Sequence, residues 1–196
     1  MLNKALAIIQ DEHRSLAAVI HGLRYLVREI SRESMVPDFT LLTAMVHYIG
    51  AYTGKLHHPK EEQYVFARLR LRTGQAEEVI ATLERQHKEG GDDFSRLTKA
   101  LGAYQSGQAD GIEAFAVAVE TLADNAWKHM GIEENLLIPM AKQYLTGADW
   151  VEIADAFGDN GDPRFSVERD HEFRDLFSRI VNLAPPPIGI GPSVTK

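Results

Sequence analysis

The sequence contains no cysteine, and this absence limits the chemistry open to the protein. Disulfide bonds, thiolate zinc sites and cysteine-ligated iron–sulfur clusters are all excluded. Any metal site must therefore be built from histidine, aspartate and glutamate side chains.

Long hydrophobic runs are also missing. No stretch of about 18 or more apolar residues occurs, and residues 1–10 lack the apolar segment of a signal peptide. We therefore expect a soluble, cytoplasmic protein that does not bind membranes.

Positive charge is scarce, with 21 lysines and arginines against 28 aspartates and glutamates. No face is rich in basic residues, so binding to nucleic acid through phosphate neutralisation is not expected. The 196 residues, 44% of them hydrophobic, are enough for one domain with a well-buried core.

Four stretches of the sequence have apolar residues spaced alternately three and four positions apart, which is typical of bundle helices. They run approximately over Leu6–Ile30, Asp38–Arg72, Gln75–Tyr104 and Ile112–Met140. Short polar turns join them, which favours antiparallel neighbours. The sequence predicts an all-α fold, an up-down-up-down four-helix bundle over residues 1–147.

Residues 148–196 have a different pattern, which predicts an extension packed on the bundle. Two shorter helical stretches, about Asp149–Phe157 and Ser166–Val181, are separated by the turn-rich segment Gly158–Pro163. The proline-rich tail Ala184–Pro192 cannot form a helix, and we expect it to extend as polyproline II or to stay loose.

The second and fourth predicted helices carry the same motif. The segments His57–Phe66 and His129–Ile138 align without a gap, and both begin His-x-x-x-Glu-Glu. Residues four positions apart lie on one helix face, so each histidine and the first glutamate of its motif can point at one place in the core.

One histidine in the apolar seam of each of the other two helices extends this duplication. His13 precedes His57 by 44 residues, and His87 precedes His129 by 42. The chain therefore reads as two helical hairpins, each with a lone histidine followed by the motif. The predicted metal ligands are His13, His57, Glu61, His87, His129 and Glu133.

The alternative is that these residues are ordinary buried polar groups. A lone histidine in an apolar seam is more often a hydrogen-bonded core residue than a ligand. Four such imidazoles with two buried carboxylates are harder to explain, because an uncompensated buried carboxylate is costly. A cation is the natural counter-charge.

Some details of the motif in the second helix stay open. His58 and Glu62 offer the same spacing one residue further on, and Pro59 should kink or bulge the helix, which could rotate its register. Glu62 and Glu134 are expected in solvent or behind the ligands.

Imidazole and carboxylate ligands suit iron, manganese or zinc. Two glutamates facing each other across the core are well placed to bridge two metal ions, with two histidines per metal and room for an oxo or hydroxo bridge. We predict two irons per chain, each with an open position; zinc or manganese is the alternative.

These residues resemble the hemerythrin-like, or His-His-Glu cation-binding, family over about Leu6–Tyr144. The resemblance implies a carboxylate-bridged di-iron centre that meets dioxygen, nitric oxide or peroxide. Oxygen-carrying hemerythrins have a fifth histidine one turn from the third-helix ligand, where this chain has Leu83 and Gly91. The sequence is more similar to four-histidine, two-glutamate members, such as the bacterial iron-centre repair proteins and the iron-sensing domain of a ubiquitin ligase subunit.

Several functions follow as expectations. The first is sensing of oxygen, nitric oxide or peroxide, protection against them as a stress response, or iron handling. A di-iron oxidase or peroxidase and a reversible oxygen carrier are alternatives, and so is a bundle that binds a partner protein through its extension. The sequence leaves the oligomeric state open.

Overall fold

A computed structural model describes residues 1–158 and 167–192, with the backbone alone at 167–174. This part of the chain is helical and contains no strand. Its helices in chain order are α1 (Leu2–Ser31), α2 (Phe39–Tyr52 continued without a break to Ala67–Arg72), α3 (Glu77–Gln105), α4 (Gly111–Ile132 continued to Ile138–Tyr144), α5 (Gly147–Gly158) and α6 (Val167–Leu183).

Helices α1 to α4 form the bundle. Each contacts its neighbour in the sequence, and α1 also contacts α4, which closes the arrangement around one core. The predicted all-α, antiparallel four-helix bundle is therefore confirmed. None of the helices in the described ranges is long and apolar enough to cross a membrane.

Asp38 and Asp110 precede α2 and α4, but Asp38 caps its helix through its side chain and Asp110 does not. The Asp38 carboxylate accepts a hydrogen bond from the backbone N–H of Leu41 at 3.0 Å and caps α2. Asp110 precedes α4 in a left-handed conformation, and its side chain makes no capping hydrogen bond. Gly111 matters more there, because a Cβ on it would lie 2.8 Å from the Cα of Tyr104.

Three π-helical segments interrupt α2 and α4, at Thr53–His57, Glu61–Phe66 and Glu133–Leu137. A π turn has hydrogen bonds from residue i to i+5, so it places an extra residue in the turn, often at functional sites. The sequence predicted a kink or bulge near Pro59, and the two segments in α2 flank that residue.

A layer of polar residues divides the apolar core into two clusters. One cluster contains Leu23, Met45 and Phe115, and the other contains Phe66 and Ile80, each of them fully buried. Along every bundle helix the predicted ligands fall between the residues of one cluster and those of the other. The fold thus places these ligands at one level, in the middle of the bundle.

The extension packs on the bundle. Trp150, Ile153 and Phe157 of α5 belong to the second core cluster, and Ile180 of α6 belongs to the first. The carboxylate of Asp149 accepts hydrogen bonds from the backbone N–H and hydroxyl of Thr146, which caps α5.

The tail differs from its predicted conformation. Residues 184–192 are not helical, as expected, but they turn back on α6 instead of extending as polyproline II. The backbone N–H of Ile190 donates to the carbonyl of Val181, and that of Gly191 donates to the carbonyl of Ala184, both at 2.9 Å. Most of the predicted Gly158–Pro163 turn lies outside the described residues.

Candidate metal centre

The polar layer brings the predicted ligands into two adjoining groups. His13, His57, Glu61 and Glu133 form one, in which all four residues are buried. His58, Glu61, His87 and His129 form the other. In each group, one potential ligand atom per residue lies within 4.8 Å of the others. Hereafter these are the inner group and the outer group.

The facing atoms of the inner group are crowded. The Nε2 atoms of His13 and His57 lie 3.1 Å apart, His13 Nε2 lies 3.2 Å from Glu133 Oε2, and His57 Nε2 lies 3.3 Å from Glu61 Oε1. Atoms that bind one cation at about 2.1 Å lie about 3.0–3.4 Å from each other. The observed separations therefore fit ligands arranged around a cation.

The two glutamates connect the groups. Glu61 directs Oε1 at His57 of the inner group and Oε2 at His87 of the outer group, at 3.3 and 3.5 Å. Glu133 does the same, with Oε2 at His13 and Oε1 at His129. Each carboxylate thus presents one oxygen to each group, which is the arrangement of a bridging ligand.

Four histidines are held from behind through Nδ1. His57 donates to Glu12 at 2.8 Å, His87 to Glu62 at 2.7 Å, His13 to Glu134 at 3.3 Å and His129 to Gln86 at 3.0 Å. An ionised carboxylate and an amide oxygen can only accept, so these contacts assign the proton to Nδ1. The lone pair of every Nε2 then faces inward, as a metal ligand requires.

Buried atoms without hydrogen-bond partners test whether a cation fits. In the part of the chain that the structure describes, such side-chain atoms are confined to this centre: Glu61 Oε2, His87 Nε2, His129 Nε2 and both oxygens of Glu133. Unpartnered buried acceptors are costly in a folded protein. All of these atoms are acceptors, and a cation would satisfy them together.

In the metal-free centre the pKa values of the two buried carboxyls are shifted in opposite directions. Burial raises the pKa of Glu61 well above its usual range, and the charge of Glu133 raises it further. Burial acts on Glu133 in the same sense, but its contacts with His129 and His13 outweigh it and hold the pKa of that carboxyl well below its usual range. Burial and the neighbouring imidazoles lower the pKa of His58, which keeps this ring neutral.

The structure brings together all six residues predicted from the sequence, and it adds His58. The His58 ring stacks on His87 with centroids 3.8 Å apart and lies edge-on to His129. The sequence left His57 and His58 as alternatives, yet each belongs to one group. Whether the six residues and His58 bind metal stays a prediction.

The residues behind the ligands follow the sequence duplication. Glu12 and Gln86 each precede the lone histidine of a hairpin, and each holds the motif histidine of the next helix. Glu62 and Glu134 are the second glutamates of the two motifs. In both hairpins a side chain that can accept a hydrogen bond, Glu12 or Gln86, stands directly before the lone histidine. This recurrence in the sequence could have revealed Glu12 and Gln86.

The two helical hairpins differ in the residues behind the motif histidine. Glu12 is accompanied by Lys60, a buried lysine whose Nζ lies 3.6 Å from Glu12 Oε1 and above the ring of Phe157 in α5. The corresponding residue of α4 is Ile132, and its hairpin uses the neutral Gln86. A carboxylate partner makes an imidazole a stronger ligand than an amide does, so of the two motif histidines His57 is the stronger donor.

Fold and site together define a metal-binding four-helix bundle. Comparison with known protein families matches residues 4–141 to the Hemerythrin HHE cation binding domain. The chain therefore belongs to this family. No curated protein sequence matches the chain significantly.

Proposed function

We propose that the chain holds two iron ions, one in each group, bridged by Glu61 and Glu133. The centre would bind dioxygen, nitric oxide or peroxide, in sensing, in protection against these molecules or in iron handling. The observation that carries this proposal is the confinement of unpartnered buried acceptors, among the described residues, to two adjoining groups that share Glu61 and that Glu133 also connects through His13 and His129.

The residues of the centre have separate tasks. The imidazoles of His13 and His57 and the two glutamates would hold the inner ion, and His58, His87 and His129 would complete the outer one. The carboxylates behind His13, His57 and His87 keep the Nε2 atoms of these rings aimed inward and increase their basicity, and the amide of Gln86 orients His129. Iron held in this way supplies a redox-active centre for small oxygen- and nitrogen-containing molecules.

The two positions differ in access. The inner group is buried on all sides, with His13, His57, Glu61 and Glu133 each at most 3% exposed. The outer group borders a cavity through His58, His87 and His129. An external ligand would therefore reach the outer ion, and the inner ion would stay in place.

Optical spectroscopy of the iron-loaded protein tests the proposal. Ferrous protein prepared without oxygen should change its near-ultraviolet and visible bands when nitric oxide, dioxygen or peroxide is added. A Glu61→Ala, Glu133→Ala variant should lose these changes, and Glu78→Ala, on the exposed surface of α3 and away from the cavity, should keep them. Unchanged spectra with all three molecules would refute the proposed ligand binding.

An oxidase or peroxidase is the second candidate, and the cavity beside the outer group is the observation that favours it. An enzyme of this kind needs room for an organic substrate, which the sequence did not reveal. Steady-state consumption of peroxide with an added reductant would distinguish a catalyst from a sensor, because a sensor responds once and does not turn over.

Partner binding through the extension has less support. The apolar residues Trp150, Ile153 and Phe157 of α5 face the bundle and are buried in its core. Deletion of residues 148–196 would therefore damage the fold as well as any binding surface. A cytoplasmic location also stays a prediction, which fractionation of cells would test.

A further inference from the structure

A cavity of about 350 Å³ lies inside the bundle next to the outer group. All four bundle helices contribute to it, and His58, His87 and His129 form part of its wall. Most of the rest is apolar, with Leu16, Ile49 and Leu122 among the buried side chains that line it. Exposed residues, including Gly54 and Gly91, also line it, so it reaches the surface.

The cavity is too large for the small molecules that the metal centre itself would bind. A water molecule occupies about 30 Å³ of the liquid, and a diatomic gas needs a similar space. The observed volume is roughly ten times larger and falls within the range of organic ligand sites, about 300–1,000 Å³. Its mostly apolar wall with a few polar groups is also typical of such sites.

The charges around the cavity are unbalanced. Among its acidic residues, Glu89 pairs with Arg85, and Asp93 is bound by Arg96 and by the amide of Asn125. Its two lysines, Lys55 and Lys128, have no carboxylate partner among the residues that the structure describes. The uncompensated charge at the cavity is therefore positive, and it favours an anionic ligand.

Glycines keep the cavity open. A Cβ placed on Gly54, Gly90 or Gly91 would meet no atom within 4 Å. Elsewhere in the cavity lining, the absence of a side chain at Gly50 lets the ring of Phe94 lie against α2, where a Cβ would be 2.1 Å from the ring. Glycine lowers the stability of a helix relative to alanine. The open volume is thus maintained against the preference of the helices.

We propose that this cavity binds a small amphiphilic monoanion, an organic acid with an aromatic or aliphatic body and one carboxylate. The hydrocarbon body packs against the apolar wall, and the lysines attract the charged group. The proposal goes beyond the metal centre and does not require it, because size, apolar lining and unpaired lysines belong to the protein alone.

Isothermal titration with three related probes tests the chemical class. Phenylbutyrate, phenylbutanol and phenylbutylamine share a hydrocarbon body that fits a cavity of this volume, and they differ in charge. We expect phenylbutyrate to bind metal-free and metal-loaded protein, the alcohol to bind about threefold to tenfold more weakly, and the amine to bind least. Equal affinity for all three would overturn the assignment of an anion.

Two variants locate the binding site. Gly90→Leu fills the cavity and should weaken phenylbutyrate binding by about tenfold or more. Gly102→Leu is the matched control, because Gly102 lies on the same helix, away from the cavity, and also has open space around its Cβ. Binding that persists in Gly90→Leu, with circular dichroism showing an intact helical fold, would overturn the proposal.

Substitution of the two cavity lysines separates the contribution of charge to binding from the contribution of apolar packing. Lys55→Gln with Lys128→Gln should lower the affinity for phenylbutyrate about threefold to tenfold and leave the affinity for phenylbutanol unchanged. The control pair Lys99→Gln with Lys142→Gln should change neither affinity. No binding of any probe at concentrations up to about 10 mM would refute the site. Metal content, measured on the same samples, reports on the metal centre separately.

Discussion

Replacing Glu61 by glutamine should change the stability of the metal-free and the metal-loaded protein in opposite directions. Without metal, Glu61 is a buried carboxyl beside the buried Glu133, and Glu61 Oε2 has no hydrogen-bond partner. A glutamine of the same shape offers an N–H₂ group to the unpartnered oxygens of Glu133. Relief of a buried unsatisfied group is worth about 1–3 kcal/mol.

The pH dependence of this gain follows from the pKa of Glu61, which is raised in the folded protein. A raised pKa stabilises the fold below the ordinary value of 4.5, and this contribution is lost as the pH rises towards the folded value. The variant should therefore equal the native protein near pH 4 and exceed it in stability at pH 7.

Bound metal reverses the sign of the stability change that Glu61→Gln causes. A ligand that binds only the folded state at about a hundred times its dissociation constant adds about 2.7 kcal/mol per site. Glutamine removes the charge of a carboxylate shared by both groups, so the variant should lose about 3–5 kcal/mol of this stabilisation.

Urea denaturation followed by circular dichroism measures both effects, at pH 7 with a chelator and with excess ferrous iron under nitrogen. Glu78→Gln, on the exposed surface of α3, should change the unfolding free energy by no more than about 0.5 kcal/mol in either condition. If Glu61→Gln destabilised the metal-free protein by as much as the loaded one, Glu61 would be a structural residue and the reasoning would be wrong.

Other substitutions test separate parts of the centre and the fold. Glu12→Gln should lower metal affinity about tenfold in chelator competition, because His57 loses the carboxylate behind it; an unchanged affinity would show that Glu12 does not support the ligand. His58→Leu should reduce the retained metal from two ions to one, measured by mass spectrometry of the desalted protein, whereas two retained ions would place His58 outside the centre. Asp149→Asn should lower the unfolding free energy by about 1–2 kcal/mol at pH 7, because the carboxylate binds Arg72 through two bonds of 2.9 Å and Arg72 is partly exposed. The Arg72 guanidinium, with Thr146, holds the pKa of Asp149 below its usual range, so this stability is present above the ordinary pKa of 3.8 and is lost as the pH falls. The Asn variant should therefore show a flatter acid limb in a series of denaturation curves, and an unchanged limb would contradict this role.

Most of the bundle could be predicted because its helices follow simple rules. Apolar residues three and four positions apart bury one face of each helix, and short polar turns leave antiparallel packing as the simplest connection. The six predicted ligands lie together in the structure because they interrupt these apolar seams at one level. The repeat of a lone histidine followed by a His-x-x-x-Glu-Glu motif predicted, from the sequence alone, that these residues lie at one level.

The position of His58 could not be predicted, because it depends on backbone geometry that regular helix spacing does not describe. On a regular α-helix, adjacent residues are about 100° apart, so His57 and His58 could not both face the core. The π turns around Pro59 change this register. In the sequence, the indication of these turns is that Ile49, Thr53, His57 and Glu61 are each four residues apart, where the other seams alternate between three and four.

Features that depend on contacts between distant parts of the chain could not be predicted from the sequence either. Gly54 and Gly90, on different helices, both leave open space at the cavity, and no local pattern in the sequence indicates that they line the same cavity. The tail was expected to extend because prolines disfavour helix, but backbone hydrogen bonds to the end of α6 turn it back. Both features depend on tertiary packing.

The most direct test of the central claim is the metal content of the purified chain. Protein loaded with ferrous iron under nitrogen and freed of excess metal should contain two irons per chain by inductively coupled plasma mass spectrometry. The Glu61→Ala, Glu133→Ala variant should contain fewer than one. A native protein that retained no iron, or a variant that retained both ions, would contradict a carboxylate-bridged centre in this bundle.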